Sequence, residues 1–187
     1  MSAVIWHMES MSGFMLLSLP LWLFLRTLWL MARQQSPRWG RELLLVLFGL
    51  YLIGLASQTL MGASWRPEGM GLWKFAQSRW QQGWGINLEP GFPIRSMLEK
   101  GSYGQKLINL AGNLLIFVPL GFFAPLLWRK LRHWWAAPGL SMGVSCLIEF
   151  LQLFLGRSVD IDDVILNTLG GLAGYILFCL LPKKWKH

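Results

Sequence analysis

An all-α, multi-pass membrane bundle of about five transmembrane helices is the fold class this sequence predicts, and three observations predict it. Its 187 residues are 54% hydrophobic and only 14% charged, against about 25% charged in soluble domains. The apolar residues gather into five runs, at 12–32, 42–61, 107–128, 134–155 and 163–181, each long enough to cross a hydrocarbon core about 30 Å thick as a helix. Backbone exposed to lipid must bond to itself, which a helix does without outside partners. Residues 1–61 therefore read as two N-terminal helices, 62–106 as an outer loop, and the remainder as three more spans of one bundle.

The net charge of +8 is arranged for topology rather than for nucleic acid. Arg33, Arg38 and Arg41 follow the first run, Arg129, Lys130 and Arg132 the third, and Lys183, Lys184 and Lys186 the fifth. These clusters fall on one side of a five-span bundle, which makes that side cytoplasmic and leaves the N-terminus outside and the C-terminus in the cytoplasm. The 62–106 loop runs against this rule with Arg66, Lys74, Arg79, Arg95, Lys100 and Lys106, offset in part by Glu68, Glu89 and Glu99. The first run lacks preceding basic residues and a small-residue cleavage pattern, so it does not read as a removed signal peptide. Cys146 and Cys179, the only cysteines, fall at depths too different for a disulfide and are expected as packed thiols.

Within the first span, Pro20 suggests a kink, and Arg26 is placed to snorkel to the headgroups. In the outer loop Trp73, Trp80 and Trp84 recur at i, i+7 and i+11. That spacing predicts a short amphipathic helix in the membrane–water interface, the alternative being a tryptophan-rich loop packed on the bundle. Asn87-Leu-Glu-Pro-Gly marks a turn. Pro119, Gly121 and Pro125 suggest a bent third span. Gly139 with Gly143, and Gly170 with Gly174, have the spacing that permits close helix approach.

The polar residues carry the chemistry. At 1.5 Å per residue, Asn109 and Asn113 lie about 3–9 Å inside the outer end of the third span, Glu149 and Gln152 about 9 and 5 Å inside the fourth, and Asn167 about 6 Å inside the fifth. Arg157, Asp160, Asp162 and Asp163 fill the short outer loop between the last two. Three helices thus place amides and a carboxylate at one depth, where a charge costs roughly 2.5–3.5 kcal/mol. An outward-facing polar pocket follows, with Glu149 and Asp163 as candidate acid–base groups and Asn113, Gln152, Arg157, Asp160 and Asn167 as candidate ligand contacts. A plainer reading stays open: the aspartates cap a helix, the asparagines bond helix to helix, and Arg157 neutralises a carboxylate. His7, His133 and His187 are scattered, so no histidine zinc site or Ser–His–Asp set assembles with the cluster. Asp160-x-Asp162-Asp163 with Glu149 has oxygen ligands for Mg²⁺ or Ca²⁺ but not the spacing of a known binding loop. No phosphate-binding glycine loop is present. No metal and no cofactor is expected.

Asn113-Leu-Leu-Ile-Phe-Val-Pro119-Leu-Gly121, Glu149-x-x-Gln152, Arg157-x-x-Asp160-x-x-Asp163, Asn167-Thr-Leu-Gly170-Gly171 and Gly174-Tyr175 together resemble the VanZ-like family over about 85–181. Asn87-Leu88-Glu89-Pro90 is similar to the family's lead-in to this region, departing at Gly91, where an aromatic is more usual. The first helix lies outside the resemblance. The resemblance implies a small protein of the bacterial inner membrane, associated with low-level resistance to teicoplanin, a lipid-anchored glycopeptide that targets peptidoglycan precursors. It supplies no reaction. Three readings stand: a binder of an envelope lipid or lipid-linked glycan headgroup, an enzyme acting on such a glycan through Glu149, and a scaffold in exopolysaccharide assembly.

Overall fold

A computed structural model describes residues 3–34, 36–60, 69–91 and 103–182. The chain divides into two compact units, Met1–Met61 and Gly62–His187. Lys183, Lys184, Lys186 and His187, with Arg66, Glu68, Phe92, Arg95, Glu99 and Lys100 of the loop, lie outside the described residues.

The first unit is a helical hairpin. α1 runs Ala3–Ala32 with Pro20 inside it, and α2 runs Trp39–Leu60. The Trp22 indole lies against Gly49, where a Cβ would come within 3.3 Å of the ring. Arg26 pairs with an acid. Its Nε and Nη2 donate to the two carboxylate oxygens of Glu42 at 2.6 and 2.8 Å, with the guanidinium 4.4 Å from the Trp29 ring centre. A two-pronged charged pair holds better than a solvated end, so the arginine ties α1 to the first turn of α2.

The second unit carries the remaining elements. α3 (Leu72–Gln82) stops at Gly83, whose φ of +64° suits a residue without Cβ. β1 (Ile86–Asn87) follows, then α4 (Tyr103–Leu127), continuous through Pro119 and Pro125. A single 3₁₀ turn, Arg129–Leu131, leads to α5 (Ala136–Leu155). β2 (Val159–Asp160) and α6 (Ile161–Leu180) complete it. Four helical stretches are long and apolar enough to cross a membrane: Trp39–Leu60, Leu107–Leu127, Ala136–Leu155 and Ile161–Leu180. The described apolar part of α1, Ser18–Ala32, is shorter. The chain is an all-α, multi-pass membrane protein.

α6 is the central helix of this unit. Its Gly170 and Gly174 face the backbone of α4: a Cβ on either would fall less than 3.0 Å from the Leu114 or Val118 carbonyl oxygen. Gly121 of α4 returns the contact against the Gly171 carbonyl, while Gly171 itself faces the Ser141 side chain of α5. Of the two glycine pairs read from the sequence, only Gly170 and Gly174 serve close approach. Gly139 and Gly143 have open space among the described residues.

α5 is inside-out relative to a soluble helix. Ala137, Ser141, Ser145, Glu149 and Gln152 are its buried side, while Met142, Leu147 and Phe150 are exposed, as suits a helix whose outer solvent is lipid. Cys146 and Cys179 are not disulfide-bonded, but both are exposed rather than packed. Each adjoins a buried position, Ser145 or Phe178, and successive helix residues turn away from a shared face.

Candidate functional site

The polar residues of α4, α5 and α6 meet around the α5–α6 connection. α5 ends at Gly156 in the left-handed conformation (φ +74°), and the Arg157 N–H reaches back to the Gln152 carbonyl at 3.1 Å. The chain then pairs as β2 with β1, parallel, with Ile86 opposite Val159 and Asn87 opposite Asp160. This two-residue ladder is the sole departure from helix pairing among the described residues, and it fixes the loop through which the cluster is presented.

Each acid has its own partner. Glu149, buried six residues before the end of α5, accepts the Asp160 N–H on Oε2 at 2.9 Å. The Asp160 carboxylate accepts the Asp162 N–H at 2.9 Å and the Asn87 amide at 3.0 Å. Asp160 is therefore the N-cap of α6. Asp162, one of the aspartates for which a capping role stayed open, instead takes the Gly91 N–H on both oxygens at 2.8 and 3.0 Å. Gly91 has φ +80°, where a side chain would be strained. The Asn113 amide of α4 donates to Asp163 Oδ1. Glu149 feels the charges of Asp163, Asp160 and Arg157, so the four groups share one neighbourhood.

One turn deeper lies a second rung. Asn167, four residues beyond Asp163, donates to Ser145 Oγ at 2.8 Å, and Ser145 is four residues before Glu149. Both are buried. The spacing of four repeats on each helix because such residues share a face. Ser141 against Gly171 forms a third rung.

The structure thus brings together Asn113, Glu149, Arg157, Asp160 and Asp163, with Asn167 one turn below and Gln152 buried beside them. Asn109, a turn before Asn113, is exposed. Two contributors were missed in the sequence. Ser145 was signalled by its place four before Glu149. Arg79 was read as one of the loop's cations, yet it is 3% exposed. It donates to the carbonyls of Gln152 and Leu153 at 3.1 and 2.8 Å and of Arg157 at 2.6 Å. The Gln152 and Leu153 carbonyls are at the negative end of α5, where a cation is favoured, and that of Arg157 lies just past its cap. Burial pushes the Arg79 guanidinium below its ordinary pKa. The Phe75–Ala76–Arg79 face of α3 that carries it is buried, and Trp73, Trp80 and Trp84 are exposed.

The model of the VanZ/LLP1 family matches residues 43–182, three-quarters of the chain and every element of the site. The chain belongs to the VanZ/LLP1 family. No curated protein matches it. No solved structure does either. The match starts within α2, well before the motif-bearing region at 85–181. It leaves out α1 and, by one residue, Glu42. The Arg26–Glu42 clasp is therefore outside the VanZ/LLP1 pattern, whereas Arg79, Asn87 and the whole acid network are inside it.

Proposed function

We propose that this VanZ/LLP1 protein lies in a bacterial inner membrane, N-terminus outside and C-terminus cytoplasmic, and engages the headgroup of an envelope lipid or lipid-linked glycan. One observation carries the reading: Glu149 and Asp163, from two spans, come together with Arg157 and Asp160 at one end of the helices. Carboxylates at membrane depth are retained for function by default. The Arg129–Lys130–Arg132 connection lies at the opposite end of α5, which favours an outward site under the positive-inside rule.

The balance of charge narrows the headgroup. Glu149, Asp160, Asp162 and Asp163 stand against Arg157 and an Arg79 already committed to backbone carbonyls, so the cluster offers acceptors more than donors. Hydroxyls of a sugar, or an amine, suit such acceptors, with one phosphate or carboxylate on Arg157. Asn113, Gln152 and Asn167 orient the bound group. A lipid-linked glycan fits this better than a bare phosphate, and holding such a precursor would support teicoplanin resistance.

The test is native mass spectrometry of the protein in mild detergent. Wild type retains a glycan- or amine-bearing lipid, and Arg157→Gln loses it. Equal retention by wild type and variant overturns the headgroup reading. A second reading, an enzyme with Glu149 as acid or base, is favoured by that carboxylate's burial beside two like charges. Glu149→Gln retains an acceptor for the Asp160 N–H but cannot cycle a proton. Retained lipid with lost glycopeptide tolerance in cells selects the enzyme; lost lipid selects the binder.

A further inference from the structure

The tryptophan face of α3 and the buried arginine on its other face point to a coupled device. Trp73 is 72%, Trp80 60% and Trp84 53% exposed. The Trp73 ring lies 6.0 Å from that of Phe154, tilted by 35°, and Phe154 is the penultimate residue of a membrane-spanning helix. That contact sets α3 level with the end of the span, where indoles are favoured because one edge is apolar and the N–H is wet. The same helix sends Arg79 inward. Its partners are backbone carbonyls on both sides of the turn after α5, with Gly85 O a further contact at 3.4 Å. Arg79 thus spends its charge on backbone carbonyls. Next to it, the Val159 N–H bonds Gly85 O at 2.9 Å.

We infer that Trp73, Trp80 and Trp84 seat α3 in the membrane–water interface, and that from this seat Arg79 positions the Gly156–Asp160 turn carrying Arg157. Arg79 touches no ligand in this arrangement; it acts through the backbone of the residues that do. The bilayer surface is the occupant because the apolar indole face is continuous, through Phe154, with the lipid-facing side of α5. The consequence for lipid binding rests on the headgroup reading, whereas the mechanical link does not.

Hydrogen exchange on the full chain in lipid nanodiscs tests the link. Arg79→Gln raises exchange of the Arg157 and Val159 amides by about ten-fold or more, the scale set by losing charged hydrogen bonds, and leaves α6 from Gly170 to Phe178 unchanged. Arg79→Lys keeps the charge without the planar fork and falls between, which supplies a folded variant should the glutamine form not accumulate. Trp80→Ser removes a side chain with little protein packing, so faster exchange in α3 and at Val159, larger in nanodiscs than in detergent, reports the bilayer seat. Unchanged Arg157 and Val159 amides in Arg79→Gln and Arg79→Lys overturn the inference, as does uniform loss of protection through α4–α6. An effect of Trp80→Ser equal in detergent and nanodiscs overturns the bilayer seat. Lipid retention on the same samples separates the two claims: a loosened turn with full retention supports Arg79's role and overturns the headgroup reading.

Discussion

Replacing Gly174 by alanine is the most direct probe of the frame that carries the site. A Cβ at Gly174 would sit more than 1 Å inside ordinary contact with the Val118 carbonyl oxygen, with the Phe122 amide nitrogen next nearest at 2.8 Å. Both neighbours are backbone, so no rotamer change relieves the overlap and α4 must move off α6. Overpacking of this kind costs about 1–3 kcal/mol, and a contact with backbone belongs at the upper end. We expect a fall of about 3 kcal/mol, or roughly 10 °C in thermal unfolding, measured in mild detergent by loss of monodisperse protein. Gly139→Ala is the control: the Cβ position there is open, and alanine favours helix by up to about 1 kcal/mol, so stability holds or rises. Equal melting of Gly174→Ala and wild type, or an equal loss in Gly139→Ala, would refute the assignment of α6 as the central, backbone-packed helix.

Asp163→Asn retains an oxygen for the Asn113 amide and removes one of the crowded negative charges, so melting holds or rises while headgroup retention falls; loss of both together makes Asp163 purely structural. Gly91→Ala strains a left-handed position by about 1–2 kcal/mol and loosens the N–H bond to Asp162, seen as faster exchange at the start of α6. Arg26→Gln breaks the two-pronged pair with Glu42, about 1.5–3 kcal/mol for charged hydrogen bonds less solvent screening at a partly exposed site; faster exchange in the first turn of α2 is the readout. Tyr175→Phe removes the 2.8 Å bond to the Arg132 carbonyl, costing about 0.5–1.5 kcal/mol, with the loss confined to amides of the Arg129–Leu131 turn.

The spans were legible because lipid imposes one rule on every residue, hydropathy over about twenty positions. The convergence of Asn113, Glu149 and Asp163 was legible for a related reason: helix rise fixes depth, and depth is half of position. Rotation about each helix axis was not legible, which is why Asn109, at a suitable depth, proved exposed and Ser145 was overlooked. Arg79 escaped because its partners are carbonyls, which every residue has and no sequence marks. Which aspartate caps α6 was hidden for the same reason, since the donors to Asp160 and Asp162 include backbone N–H groups. Arg26 found Glu42 across the α1–α2 connection, a pairing that no fixed helical spacing marks.

What the rotations add is an economy of acceptors. Glu149, Asp160 and Asp163 each commit one oxygen to a protein donor: the Asp160 amide, the Asp162 and Asn87 donors, and Asn113. Those bonds hold each carboxylate in a fixed direction on a fixed backbone. A purely structural need would be met more cheaply by uncharged residues, because replacing buried charges with apolar packing is often neutral or stabilising. The cluster instead keeps its acids and anchors Glu149, Asp160 and Asp163 through one oxygen apiece, with Arg79 and the Asn87–Asp160 pairing holding the loop between. Under the proposed headgroup reading, that division leaves the second oxygen of Glu149, Asp160 and Asp163 to the ligand on a preorganised frame.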